Sequence, residues 1–137
     1  MRIQPYLTFD GSCEEAFRFY AETLGGRIEM MMTHGEAPEP TPTPPEWRDR
    51  ILHACLVAGD AMILGSDRPP QFKEPVGGFY VSLNVDGPAD AERIFAALSK
   101  QGEVRLPLQE TFFATHFAML VDRFGIPWMI VRAKTPQ

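Results

Sequence analysis

The chain has little cysteine, no excess of basic residues and no long apolar run, and each shortage closes off a class of protein. Cys13 and Cys55 are the two cysteines among 137 residues. Two cannot make the disulfide framework of a secreted scaffold, so free thiols and a cytoplasmic location are expected. Thirteen Lys and Arg stand against eighteen Asp and Glu, a net charge of −5. Nucleic acid needs clustered cations and is not an expected partner. No apolar run reaches the roughly 18 residues of a membrane span. The start, Met1-Arg2-Ile3-Gln4-Pro5-Tyr6, has no long apolar stretch before a cleavage site, so no signal peptide is expected. No serine or cysteine stands in a recognisable nucleophile elbow. What is plentiful is apolar: 45% of the residues are hydrophobic and 11% aromatic. That is enough for the core of one domain, 1–137.

The second half of the chain echoes the first. Asp10-Gly11 opens a run ending near Gly26 and Ile28, and Asp86-Gly87 opens one ending near Gly102 and Val104. The spacing is constant at 76 (86 − 10, 95 − 19 for the two phenylalanines, 97 − 21, 102 − 26). Leu83 and Val85 fall over Leu7 and Phe9. A two-copy chain is expected to build a pseudo-symmetric structure whose equivalent residues face a shared cavity.

The local patterns supply the elements of each copy. Residues 2–9 alternate apolar and polar, as a strand does. Ser12 with Glu15 reads as a capping box, and Cys13 to Leu24 as an amphipathic helix closed by Gly25-Gly26. Arg27 to Thr33 is a strand. Residues 34–50 hold Pro38, Pro40, Pro42, Pro44 and Pro45, and so read as a long surface loop, either a tolerated insertion or a lid. Arg50 to Val57 and Ala61 to Ser66 form a hairpin about Gly59-Asp60. Residues 67–78, with Pro69-Pro70 and Pro75, link this module (1–67) to a second (78–135). There, Gly78 to Val85 is a strand, Pro88 to Lys100 a helix, Glu103 to Leu106 a short strand, and Thr115 to Val121 with Pro127 to Arg132 a hairpin. The expected fold is α+β: two tandem βαβββ modules forming an eight-stranded, partly open barrel-like sheet with helices outside.

Three stretches carry a family likeness. They are Pro5-Tyr6-Leu7-Thr8-Phe9-Asp10-Gly11 with Ala16, Phe19 and Tyr20; His53-Ala54 with Ile63-Leu64-Gly65-Ser66-Asp67; and Leu106-Pro107-Leu108-Gln109-Glu110-Thr111-Phe112 followed by Asp122, Phe124-Gly125 and Pro127-Trp128-Met129. With the two modules, they resemble the vicinal oxygen chelate superfamily of glyoxalase, bleomycin-resistance and extradiol dioxygenase proteins, and within it the PhnB-like branch. Phe113-Ala114 stands where that branch often has tryptophan and glycine. Proteins of the branch also carry a 3-demethylubiquinone 3-methyltransferase label, but no Gly-rich strand–helix turn for an adenosyl cofactor is present here.

The resemblance implies where a metal would sit. In the superfamily's metalloenzymes, His, Glu or Gln ligands come from the first and last strand of each module. Such a metal takes two vicinal oxygens of a substrate. Here those positions fall on Pro5 with Gln4 adjacent, on Met62 or Leu64, on Tyr80 or Phe79, and on Met129. This set suits neither Zn, Ni nor Fe(II). A one-residue slip recovers Gln4 but not three ligands. No metal and no cofactor are therefore expected, and no catalytic residue is assigned.

The residues themselves offer a few pocket groups. His53 and His116 lie on the third strand of their modules, in similar places, and could act near neutral pH or be ordinary sheet positions. Together with Glu110 or Gln109 they could make a new metal site. Gln109, Glu110 and Thr111 form either a rim that orients a ligand or a turn and cap. Tyr80 and Trp128 could stack on an aromatic ligand or fill the core. Met30, Met31, Met32, Met62 and Met129 suit an adaptable apolar cavity or core filling. Cys13 starts a helix, where a thiol pKa can fall. His34 is expected to be solvated. The pocket candidates are thus His53, Tyr80, Gln109, His116 and Trp128. The leading expectation is a metal-free small-molecule-binding protein, paired as a homodimer by the resemblance, as bleomycin-resistance proteins sequester a ligand in a dimer groove. The alternatives are a metal-dependent lyase, isomerase or dioxygenase, and a structural or regulatory dimer with no pocket function.

Overall fold

The computed structural model describes residues 1–38, 43–69, 71 and 74–135; Pro40 and Pro42 of the proline-rich stretch and Pro70 of the link lie outside these. The elements run β1 (Tyr6–Phe9), α1 (Cys13–Leu24), β2 (Arg27–Thr33), β3 (Ile51–Ala58), β4 (Ala61–Asp67), β5 (Val81–Asn84), α2 (Pro88–Ser99), β6 (Glu103–Gln109), β7 (Ala114–Val121) and β8 (Pro127–Ala133). The chain divides into two units, Met1–Glu74 and Pro75–Gln137. Each is one βαβββ module with its own four-stranded mixed sheet, in strand order β1-β4-β3-β2 and β5-β8-β7-β6. No helix among the described residues is long and apolar enough to cross a membrane.

Module one is built around α1. Its face of Cys13, Ala16, Phe17, Tyr20 and Thr23 is buried against one side of the sheet, where Leu7, Phe9, Ala54, Leu56 and Ile63 are also buried. Removing Phe17 and Tyr20 from water contributes roughly 2–3 kcal/mol each. The expected Ser12 capping box does not form, since Ser12 makes no side-chain cap bond. Asp67, at the end of β4, takes its place: Oδ1 accepts from Cys13 N–H at 3.0 Å and Oδ2 from Ile51 N–H at 2.8 Å. One buried carboxylate thus ties α1, β3 and β4 together. β1 is shorter than the alternation of residues 2–9 implies. Pro5 accepts from Leu64 N–H at 3.0 Å but has no N–H to give, so the ladder stops there.

The proline-rich segment is anchored at both ends. His34 N–H donates to Arg50 O, and Gly35 N–H to Arg48 O. Thr33 and Glu36 form a capping box on a 3₁₀ turn at His34–Glu36. Trp47 is buried, and the Arg50 guanidinium lies 5.3 Å from its ring centroid. His34 is half-buried rather than solvated, and packs edge-on to Trp47.

Module two repeats the plan with α2 burying Ala91, Ile94 and Leu98. β6 runs on to Gln109, past the expected end at Leu106. Pro107 is tolerated because β6 is an edge strand and the register shifts between Leu106 and Gln109. The repeat carries into much of the ladders, though the two sheets differ in register beyond Leu106 on β6 and near Ala114 on β7. Leu7 pairs with Gly65 and Leu83 with Ile130; Arg27 pairs with Val57 and Glu103 with Val121. Even the bulge recurs, between Ile28 and Met30 and between Val104 and Leu106.

Candidate functional site

Each sheet has one face under its helix and one face free of it. In module one a side chain at residue 65 would run into the Phe17 ring, so Gly65 faces α1. Ala54 pairs with Gly65, and Cys55 with Leu64. Strand alternation then puts Gln4, Tyr6, Thr8, His53, Cys55, Met62, Leu64 and Ser66 on the opposite, open face. Two contacts organise it. Tyr6 Oη lies 3.3 Å from His53 Nδ1, and Gln4 Nε2 donates to Met62 Sδ at 3.3 Å. A cavity of about 550 Å³ at this end is lined by Arg2, Ile3, Gln4, Glu29, Asp60 and Met62, among others.

In module two, Ala118, Ile130 and Trp128 are fully buried on the α2 side. The open face carries an apolar cluster of Ala114, Phe117 and Val131, packed by Leu106, Phe113, Met119 and Met129. Tyr80 immediately precedes β5, and its phenol accepts from Arg105 Nη1 at 2.9 Å. β5 and β6 are the two edges of this sheet, and α2 covers the other side. The Tyr80–Arg105 pair therefore spans the open face. Gln109 is exposed and pairs with Phe117, so it also belongs to that face. A further cavity of about 430 Å³ is lined by Asn84, Asp86, Thr115 and Arg132, among others.

The five sequence candidates thus separate. His53 lies on the open face of module one, and Tyr80 and Gln109 on that of module two. Trp128 is a core residue on the helix side whose indole N–H donates to Asp122 Oδ2 at 2.8 Å. His53 and His116 do not occupy equivalent places. The β3–β7 correspondence is 64 (118 − 54, 121 − 57), so His53 matches Phe117 and His116 matches Leu52. One residue in a strand changes the face, and His116 pairs with Arg132 on the α2 side of its sheet. Glu110 is held by Lys134 at 2.9 Å, a hydrogen bond that lowers its carboxyl pKa. Thr111 caps its turn, its hydroxyl accepting from Phe113 and Ala114 N–H. The Cys13 pKa is raised rather than lowered, by burial first and then by the charge of Asp67.

The registers relate the candidate chelate-equivalent positions of the two modules to each other. Leu64 and Met129 correspond (129 − 64 = 65, as 130 − 65). Tyr80 corresponds to Gln4 by the repeat spacing of 76 (80 − 4). Leu64 and Met129 supply no hard donor, the Gln4 amide is turned to Met62, and the Tyr80 phenol accepts from Arg105. This set does not fit a divalent chelate metal. Among the described residues no group of three or more His, Cys, Asp or Glu could hold a metal ion.

Comparison with known proteins agrees with the fold. The family model described as 3-demethylubiquinone-9 3-methyltransferase matches residues 1–131. The chain is 33% identical to protein YjdN of Escherichia coli (strain K12), over 95% of this chain and 94% of that one. It is 45% identical to the crystal structure of protein PA1353 from Pseudomonas aeruginosa, with a TM-score of 0.89 over 97% and 98% of the two chains. A PhnB protein from Bacillus cereus, at 20% identity, shares the fold with a TM-score of 0.79 over 97% of this chain and all of that one. Solved glyoxalase and bleomycin-resistance domains share it at TM-scores of 0.65 and 0.67. Fold, repeat and family match agree: the chain belongs to the family described as 3-demethylubiquinone-9 3-methyltransferase.

Proposed function

We propose that this protein binds a small organic molecule against an open sheet face without a chelate metal, in the cytoplasm and as a homodimer. One observation carries the reading. The four chelate-equivalent positions hold Gln4, Leu64, Tyr80 and Met129, and the methionine of this set belongs to the apolar cluster with Phe117 and Met119. An adaptable floor of methionine and aromatic side chains, crossed by a Tyr–Arg pair, favours retention of a ligand over polarisation of one. Ile3 and Phe112, 93% and 91% exposed, are the apolar groups a dimer would cover. The methyl-transfer label finds no support at the first strand–helix turn. Its helix N-terminus already holds the Asp67 carboxylate, and the Arg50 guanidinium packs against Gly11.

Thermal melting across a library of small organic molecules tests this. A binder present at about 100 times its Kd adds about 2.7 kcal/mol and raises Tm by several degrees. Metal analysis of the purified protein is the counter-test. Stoichiometric metal, with turnover restored by Ni, Mn, Zn or Fe(II), would replace this reading with the enzyme. A dimer without any ligand-induced shift would leave the structural reading.

A further inference from the structure

Along its β2 edge, the open face of module one gathers soft donors that the binding role does not use. β2 and β3 pair without a break from Met30 to Met32, Met30 with Cys55 and Met32 with His53. Between them Met31 pairs with Ala54, which faces α1 beside Gly65. By strand alternation Met30, Met32, His53 and Cys55 stand together on the opposite face, two thioethers across from a thiol and an imidazole. Residues directly opposed in an antiparallel pair have Cβ atoms about 4.5–5.5 Å apart. A thiol and a thioether at that spacing can both reach one ion. β2 is an edge strand, and Met30 is 40% exposed, Cys55 8%. Met32 and His53 are half-buried, so the group meets solvent and is not sealed in the core. The cavity of about 550 Å³ adjoins it through Glu29, Val57 and Met62.

Module two fills the same places differently. Cys55, His53 and Met30 correspond to Met119, Phe117 and Leu106, all in its apolar cluster. The βαβββ plan therefore does not require a thiol and an imidazole there. The His53 ring is also oriented, since Nδ1 lies 3.3 Å from Tyr6 Oη. A metal-ligating histidine has its second nitrogen held in this way, leaving Nε2 for the ion. Burial first, and then the charge of Glu29, raise the Cys55 thiol pKa. A thiol left protonated is a poor nucleophile, but a soft cation displaces its proton on binding. The nearby Glu29 carboxylate favours that positive charge. Among the described residues no three His, Cys, Asp or Glu could hold an ion, which tells against zinc. Thioethers add donors only for a soft metal. We infer that Cys55, Met30, Met32 and His53 form a site for copper(I), held by the Cys55 thiolate, the two thioethers and His53 Nε2. The site lies apart from the chelate-equivalent positions.

This inference goes beyond the binding role and does not rest on it. Full-length reduced protein is titrated without oxygen against the copper(I) complex of bicinchoninate, a coloured competitor. One copper(I) per chain is expected to pass to the protein. Cys55→Ser, which puts a hard hydroxyl in place of the thiolate, is expected to weaken retention about a hundredfold, and Met30→Leu about tenfold. Copper-edge X-ray absorption is expected to show sulfur neighbours, fewer in each variant. Circular dichroism and melting of the metal-free proteins check folding. If Cys55→Ser does not fold, Met30→Leu and Met32→Leu on the edge strand still decide the matter. No transfer of copper(I), transfer that none of these substitutions weakens, copper with nitrogen and oxygen neighbours only, or Zn(II) bound as tightly would each overturn the site. None of these results bears on the melting shift with organic molecules, so the binding role stands or falls separately.

Discussion

The two modules share their backbone and differ in where they bury a charge. Both run βαβββ with the same strand order and a bulge at the same place. Each buries one aspartate, Asp67 and Asp122, both 3% exposed, yet the two are not equivalent. Asp67 corresponds to Arg132, whose Nε donates to Asp86 O. Asp122 corresponds to Ala58. The reason lies in the turns. The β3–β4 hairpin turns through Gly59-Asp60 with Ala58 paired to Ala61. The β7–β8 turn carries one residue more, Arg123-Phe124-Gly125. Asp122 holds it, with Oδ1 accepting from Phe124 N–H at 2.8 Å and Ile126 N–H at 3.0 Å. The hydrophobic pattern is enough to repeat the fold, while each module anchors a different weak point with its carboxylate.

Breaking those anchors is expected to give the largest effects. Asp122→Ala strands two backbone donors and the Trp128 indole N–H in the core, a loss of about 4 kcal/mol. Asp67→Ala strands two donors, Cys13 N–H and Ile51 N–H, and frees the start of α1, a loss of about 3 kcal/mol. Urea unfolding of the two variants ranks them. A milder effect at Asp122 than at Asp67 would mean that the longer turn holds itself without its carboxylate.

A smaller and symmetric effect is expected where the modules agree. Gly26 and Gly102 sit at the same step before β2 and β6. A Cβ on either would run into a carbonyl oxygen, that of Val57 or of Val121. Gly26→Ala and Gly102→Ala should each destabilise by about 2 kcal/mol, as read by the same unfolding curves. Unequal losses would show that one helix–strand junction can shift and the other cannot.

How much of this was legible depended on the range of the interaction. The helix Cys13–Leu24 and the strand Arg27–Thr33 were readable to the residue, because periodicity and the closing glycines are local signals. The cap on α1 was not. Ser12 and Glu15 have the right spacing, but the acceptor comes from Asp67 on a strand 54 positions away. Pro107 concealed the length of β6, since a proline stops a central strand but not an edge. At the site, the residue types at the chelate-equivalent positions stand in the sequence itself. The mismatch of His53 and His116 does not, because it depends on a register that the unequal loops shift by one.

The smallest expected effect is a gain, where the two helices are followed by a left-handed residue reached differently, directly after α1 but beyond an extended Lys100 after α2. α1 ends on Gly25 with φ 67°, a left-handed conformation whose N–H bonds to Ala21 O. The residue 76 positions on is Gln101, with φ 61°. Glycine enters this conformation freely, whereas a residue with a Cβ crowds its own carbonyl at roughly 1 kcal/mol. Part of that is returned by the stiffer unfolded chain, so Gln101→Gly should stabilise by about 0.5 kcal/mol, while Gly25→Gln should destabilise by about 1 kcal/mol. Scanning calorimetry resolves both as Tm shifts of a few degrees or less, opposite in sign. If Gln101→Gly instead lowers Tm, the glutamine side chain contributes a contact that outweighs its backbone strain, and the end of α2 is held by a device that α1 lacks.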